Sequence, residues 1–136
     1  MKRTLVLMLG LAALGAAAPA IAHHSFSMFD HSKPVTLVGT VVKYEWANPH
    51  SSITIQVPAS AANPNQAGVW DFEASAPNIM SRQGWSRSTL APGDKVTATG
   101  YALKNGAKGA QLMNVVTTDG KQLWADANRP GQTQAP

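Results

Sequence analysis

The chain opens on one unbroken apolar stretch and then turns to alternation. Leu5 to about Ala18 carries no polar side chain. Past residue 33, apolar residues recur at every second position in short runs, the period of a half-buried strand. Val35, Leu37 and Val41 share one parity, whereas Val42, Tyr44 and Trp46 share the other. A long first strand over 35–46 that changes face near Gly39 to Val42 is therefore expected to carry a bulge or a sharp coil. Ile53, Ile55 and Val57 mark a second strand over 52–57. Trp70, Phe72 and Ala74 mark the apolar side of a third over 69–74, with Asp71 and Glu73 on the other side. Val96, Ala98 and Gly100 mark a fourth, ending near Tyr101, and residues 111–117 a fifth. Asp119-Gly120 reads as a hairpin turn into a last short strand over 121–124.

The connections narrow the fold. Ala47-Asn48-Pro49-His50-Ser51 is a loop, because Asn-Pro favours a turn and proline removes a ladder donor. Ser75-Ala76-Pro77-Asn78 predicts a helix start, with proline in the first turn, and Gly84 suits a left-handed cap that folds Trp85 back onto the turn. Five main strands, one short helical insert after the third and a terminal hairpin strand match an all-β, five-stranded Greek-key barrel of the OB type. A generic small β-sandwich or roll is the alternative. The expected organisation is a leader over 1–22, an N-terminal arm over 23–33, the barrel over 34–124 and a polar, disordered tail over 125–136.

The opening stretch changes the picture of where the protein works. Lys2 and Arg3 precede the apolar run and Ala20-Ile21-Ala22 follows it, the layout of a secretory signal peptide with cleavage after Ala22. The run is too short to span a membrane, and no second apolar stretch of spanning length follows, so a soluble periplasmic protein is expected. Removing Lys2 and Arg3 from the 11 basic residues leaves nine against seven acidic ones, and they are scattered. Nucleic-acid binding calls for a basic stripe, which is missing here. Cysteine is absent, which excludes thiol catalysis and thiolate metal sites.

Cleavage after Ala22 would begin the mature chain with His23-His24-Ser25-Phe26. An N-terminal histidine offers its α-amine and a ring nitrogen to one metal ion. All four histidines, His23, His24, His31 and His50, precede residue 51. Imidazole is the commonest protein metal ligand and suits copper or zinc. His23 with His24 and His50, and His31 in reserve, is the candidate metal site. If His50 or His31 came alongside the terminus, the three nitrogens would resemble the histidine brace of copper monooxygenases and periplasmic copper carriers. Asp30 is a candidate to orient a ring nitrogen, and Met28 a soft donor for copper(I). The plain alternative is that adjacent histidines after a cleavage site are solvated, that His50 hydrogen-bonds its own loop and that His31 caps a turn. Cleavage after Ala20 would start the chain at Ile21 and abolish the terminal chelate.

Other chemistry is thinner. Trp46, Asn48 and His50 form a second candidate site, a face for a small organic ligand or an envelope partner. Trp70 and Trp85 are expected in the core. Asp71 and Glu73 share a strand face, where solvation is the ordinary outcome. No Gly-x-Ser-x-Gly elbow and no Walker spacing occurs. A binding module, and not an enzyme, is the expectation. An oxidative copper enzyme would further need an open substrate face and an electron donor.

His23-His24-Ser25-Phe26, Phe29-Asp30, Val38-Gly39-Thr40-Val41, Trp46-Ala47-Asn48-Pro49-His50, Gly84-Trp85, Pro92-Gly93-Asp94 and Gly100-Tyr101 occur in this order. With them the chain resembles, over about His23 to Trp124, a family of small exported Gram-negative proteins known only as a domain of unknown function. The Gly-Thr-Val-Val start and the segment from Leu90 to Gly100 look like bacterial OB-fold domains. The resemblance implies fold and export and assigns no catalytic residue.

Overall fold

The computed structural model describes residues 26–125. The expected leader, His23, His24 and the tail past Ala125 lie outside the described residues. Six strands follow one 3₁₀ turn at Phe26–Met28: β1 (Phe29–Glu45), β2 (Ser52–Val57), β3 (Gly68–Glu73), β4 (Lys95–Leu103), β5 (Gly109–Thr117) and β6 (Gln122–Trp124), with helix α1 (Pro77–Arg82) between β3 and β4. The length of β1 lets it serve two partners. Its first half pairs antiparallel with β4 and its second half with β2. β2 continues to β3 and β4 to β5, both antiparallel. A parallel pairing of β3 with β5 then closes the ring, with Asp71, Phe72 and Glu73 opposite Gly109, Ala110 and Gln111. The result is the expected all-β, OB-like barrel, with β6 added alongside β5.

The parity switch in β1 is a bulge. Thr40 and Val41 face Gln56 and Ile55, but Lys43 faces Thr54, so Val42 is the extra residue. It points to solvent at 51% exposure, while Val41 on one side is buried and Tyr44 on the other packs on the core. The bulge turns the strand from one partner to the next and keeps apolar residues inward on both halves.

The core is filled by the inward set of each strand. Leu37, Val41, Ile53, Ile55, Phe72, Ala98, Leu112 and Val115 are all buried, and Met80 reaches in from α1. Full burial is worth roughly 1.5–3 kcal/mol for each large apolar side chain. The helix ends as its sequence predicts. Gly84 takes φ +89°, its N–H donates to the Ser81 carbonyl at 3.2 Å, and the Trp85 N–H donates to the Met80 carbonyl at 3.1 Å. The Trp85 indole N–H then donates to the Trp124 carbonyl at 2.7 Å, tying the helix exit to β6.

Two boundaries differ from expectation. The arm expected over 23–33 becomes strand at Phe29, because this ring is buried opposite Leu103 and the Lys104 N–H donates to the Met28 carbonyl at 2.9 Å. Residues 30–33 loop out of that ladder, since the register jumps between Phe29 and Pro34. At the other end, Ala125 is fully buried and its N–H donates to the Met113 carbonyl at 2.8 Å, so the domain includes it.

Gly100 shows how tightly β4 meets β5. A Cβ there would collide with the Gln111 backbone carbonyl, which cannot swing away as a side chain would. Gly100→Ala is therefore expected to lower stability by about 1–3 kcal/mol in urea denaturation. A change within about 0.5 kcal/mol, the range of ordinary surface substitutions, would contradict this packing.

Candidate functional site

The barrel's closing seam assembles the polar groups that the sequence scatters. Register places Glu45, Ser52, Glu73, Gln111 and Tyr101 in one transverse row across β1, β2, β3, β5 and β4. Residues matched in register present their side chains on the same face of a sheet, and neighbouring strands lie about 4.8 Å apart. Two of the four histidines stand over this row.

His50 arrives from the loop between β1 and β2. The loop is pinned to the end of β3: the Ser51 N–H donates to the Ser75 carbonyl at 3.1 Å, and the Ala74 N–H to the Ser51 carbonyl at 2.8 Å. The Asn48–Pro49 bond within it is cis. Ser51 faces inward and is fully buried, with no partner for its hydroxyl among the described residues. Its neighbour His50 is left outside, next to Glu73. The His50 Nδ1–H donates to Glu73 Oε1, since a carboxylate only accepts. The side chains are 48% and 32% exposed, so this contact has little weight for stability.

His31 arrives from the segment that loops out at the start of β1. Its Nε2–H donates to Gln111 Oε1 at 2.8 Å, and its ring meets Tyr101 edge-on at 4.6 Å. Glu73 and Gln111 are direct register partners, so His31 and His50 are held by adjacent residues on one face. The sequence marks both histidines as candidate ligands and gives Glu73 as a solvated charge; the one signal for its role is its position at the end of β3, within reach of a loop residue.

The rest of the row is mostly satisfied within itself. Lys43 Nζ lies 2.7 Å from Glu45 Oε1, and the Ser52 hydroxyl donates to Glu45 Oε2 at 3.1 Å. These bonds, Lys43 first, hold the Glu45 carboxyl below its usual range. One row along, the Thr54 hydroxyl donates to Asp71 Oδ1 at 2.6 Å. Among the described residues, the hydrogen-bond partner of Asp30 is Ser32 and not a histidine. Its carboxylate accepts the N–H and hydroxyl of Ser32 at 3.1 and 2.5 Å, which lowers its pKa and shapes the loop around His31. Met28 is 38% exposed. Among the described residues, no three His, Asp or Glu side chains gather into a group able to hold a metal ion.

The second candidate face divides. Asn48 and His50 are exposed, but Trp46 is partly buried against the core, 6.2 Å from the Tyr44 ring. Trp70 and Trp85 are core residues, as expected. A polar groove of about 480 Å³ lies elsewhere, between Ser86 to Thr89 and the turn joining β5 to β6, and none of the predicted site residues lines it.

Residues 11–112 match the family of unknown function DUF6152, and the chain belongs to that family. No curated protein and no solved structure shows significant similarity to it.

Tyr44 makes the aromatic patch testable. Its hydroxyl donates to the Ser86 carbonyl at 2.9 Å, and burial pushes its phenol well above the usual range, against a smaller opposing effect of Arg87. A raised folded-state pKa favours the protonated form, so its contribution is present below the unfolded pKa of about 10 and is lost as pH rises beyond it. Tyr44→Phe should cost about 0.5–1.5 kcal/mol at neutral pH and flatten the alkaline decline in stability, both read by denaturant melts. An unchanged alkaline decline would contradict this account of Tyr44.

Proposed function

We propose that this protein is an exported binding module that holds copper or zinc between the start of its processed chain and the seam of its barrel. In this reading the leader is removed after Ala22, and His23 offers its α-amine and ring. His50 supplies the barrel's nitrogen, His24 adds to the donor set and His31 stands in reserve. The observation that carries the reading is the convergence of His50 and His31 on the neighbouring residues Glu73 and Gln111.

The start of the described chain supports it. The Met28 carbonyl bonds Lys104 and Phe29 pairs with Leu103, two residues along β4 from Tyr101 in the row. His23 precedes Phe26 by three residues, a reach of about 10 Å when extended. The barrel by itself gathers no complete metal-holding group among the described residues, so the reading depends on donors from the chain's start.

In this reading the protein binds, buffers or delivers the ion. The exposed Asn48 and His50 beside a half-buried Trp46 favour one second reading, a metal-independent face for a small organic ligand or an envelope partner.

Chain beginning at His23 should bind copper(II) with a nitrogen-rich EPR spectrum, and one additional N-terminal residue should weaken binding strongly, because it removes the amine–imidazole chelate. Equal affinity of the two forms would overturn the terminal chelate. Ligand-dependent tryptophan fluorescence without metal would favour the second reading.

A further inference from the structure

We infer that the outer face of β4, β5 and β6 is a binding site of its own, a platform for a neutral glycan chain centred on Trp124 and Asn114. It shares no residue with the metal reading above, and neither Trp46 nor Asn48 belongs to it.

Register builds the platform from two rows. Thr36, Thr99, Asn114 and Trp124 pair in turn across β1, β4, β5 and β6. Val38, Thr97, Val116 and Gln122 form the next row. The strand neighbours Leu37, Ala98, Val115 and Leu123 are buried in the core, so by alternation both rows face outward. The four tryptophans divide accordingly. Trp70 and Trp85 are core, and Trp46 packs against the core from a half-buried position. Trp124 is half-buried too, but it is not packed against the core cluster. Its ring meets no other ring and its indole N–H has no hydrogen-bond partner among the described residues. The backbone beneath it is fixed. The Trp124 carbonyl accepts the Trp85 indole N–H at 2.7 Å, and the Ala125 N–H donates to the Met113 carbonyl at 2.8 Å. An aromatic plane held in this way loses little freedom when a ligand stacks on it.

Asn114 points to a ligand independently. It lies between Thr99 and Trp124, is 7% exposed, and its amide makes no hydrogen bond among the described residues. Buried amides are ordinarily paired, because an unpaired one costs stability. The Ser51 hydroxyl is unpaired and sealed from solvent, whereas the Asn114 amide keeps an opening to the surface. It can meet a ligand hydroxyl as donor and as acceptor. Beside it the Thr36 and Thr99 hydroxyls lie 3.0 Å apart, one donating to the other, so the second keeps its proton for a ligand.

An aromatic plane beside amide and hydroxyl groups matches the two aspects of a pyranose, with C–H bonds on its face and hydroxyls around its rim. Neither row holds a charged side chain. A nucleic acid or an anionic lipid would bring phosphates that call for cations, so charge selects a neutral ligand. Four strands at about 4.8 Å spacing make a strip about 14 Å across, open at the surface and suited to an extended chain of equatorially linked sugars.

Titration of the processed chain with cellohexaose and with chitohexaose, followed in ¹H–¹⁵N spectra, tests this. At least one of the two should give saturable shifts of the Trp124 indole N–H and the Asn114 side-chain amide, while the indole signals of Trp46 and Trp70 stay in place. Trp124→Ala should weaken binding about tenfold. Asn114→Ala should weaken it about 2–10-fold without lowering the melting temperature, since the amide has no partner in the fold. A purely structural asparagine would show the reverse. Trp124→Phe, which keeps a ring, should lie between Trp124→Ala and the wild type and carries the comparison if the alanine variant does not fold. His50→Ala should match the wild type. Absence of saturable binding by both glycans, undiminished affinity in Trp124→Ala and Asn114→Ala, or tighter binding of a hexathymidylate strand than of either glycan would overturn the proposal, and each of these outcomes leaves the metal reading untouched.

Discussion

The parallel contact between β3 and β5 is the constraint on which the rest of the molecule depends. Every other strand pairing is antiparallel and joins elements that could form an open, twisted sheet. Three register pairs, Asp71 with Gly109, Phe72 with Ala110 and Glu73 with Gln111, turn that sheet into a ring. Closure buries Phe72, Ala110 and Leu112 from the inside. From the outside it sets Glu73 beside Gln111, and these two residues receive the two described histidines. Packing and site are thus two faces of the same few residues, since inward and outward side chains alternate along a strand. At Gly100 the Gln111 backbone carbonyl leaves no room for a Cβ, and at Gly109 a Cβ would meet the Leu103 side chain.

In the metal reading proposed above, the barrel supplies half of the site. His50 and Glu73 make a backed imidazole on the barrel, and the described chain begins near the same edge, where Met28 and Phe29 dock on Lys104 and Leu103. A rigid wall that offers one oriented nitrogen suits a ligand whose other donors lie on a short terminal segment. The exposed histidine–glutamate pair itself adds little to stability.

Local features were legible in the sequence, and long-range ones were not. The bulge at Val42 follows from a change of parity, and the cap at Gly84 from a glycine placed just after a helix whose first turn holds Pro77. The inward faces of β2 and β3 follow from strict alternation. The ring closure is invisible in this way, because β3 and β5 are separated by a helix, a strand and two turns, and no local pattern encodes their register. Glu73 was therefore read as a solvated charge. Its partnership with His50 depends on a loop folding back, which hydrophobic period does not report. The same limit explains Asp30, whose carboxylate is used by Ser32 two residues away, and Phe29 and Ala125, which looked peripheral but are held by partners far along the chain.

The central claim of the proposed metal reading is that barrel closure creates one cation-receiving edge, shared by the His50 loop, the end of β3 and the start of β1. It is tested most directly by adding substoichiometric copper(II) to ¹⁵N-labelled processed protein and mapping paramagnetic broadening residue by residue. The account predicts that amide signals near His50, Glu73 and Gln111 and of residues 26–28 vanish first, while those of the groove at Ser86 to Thr89 persist. Broadening centred away from this edge, or spread evenly over the surface, would contradict it.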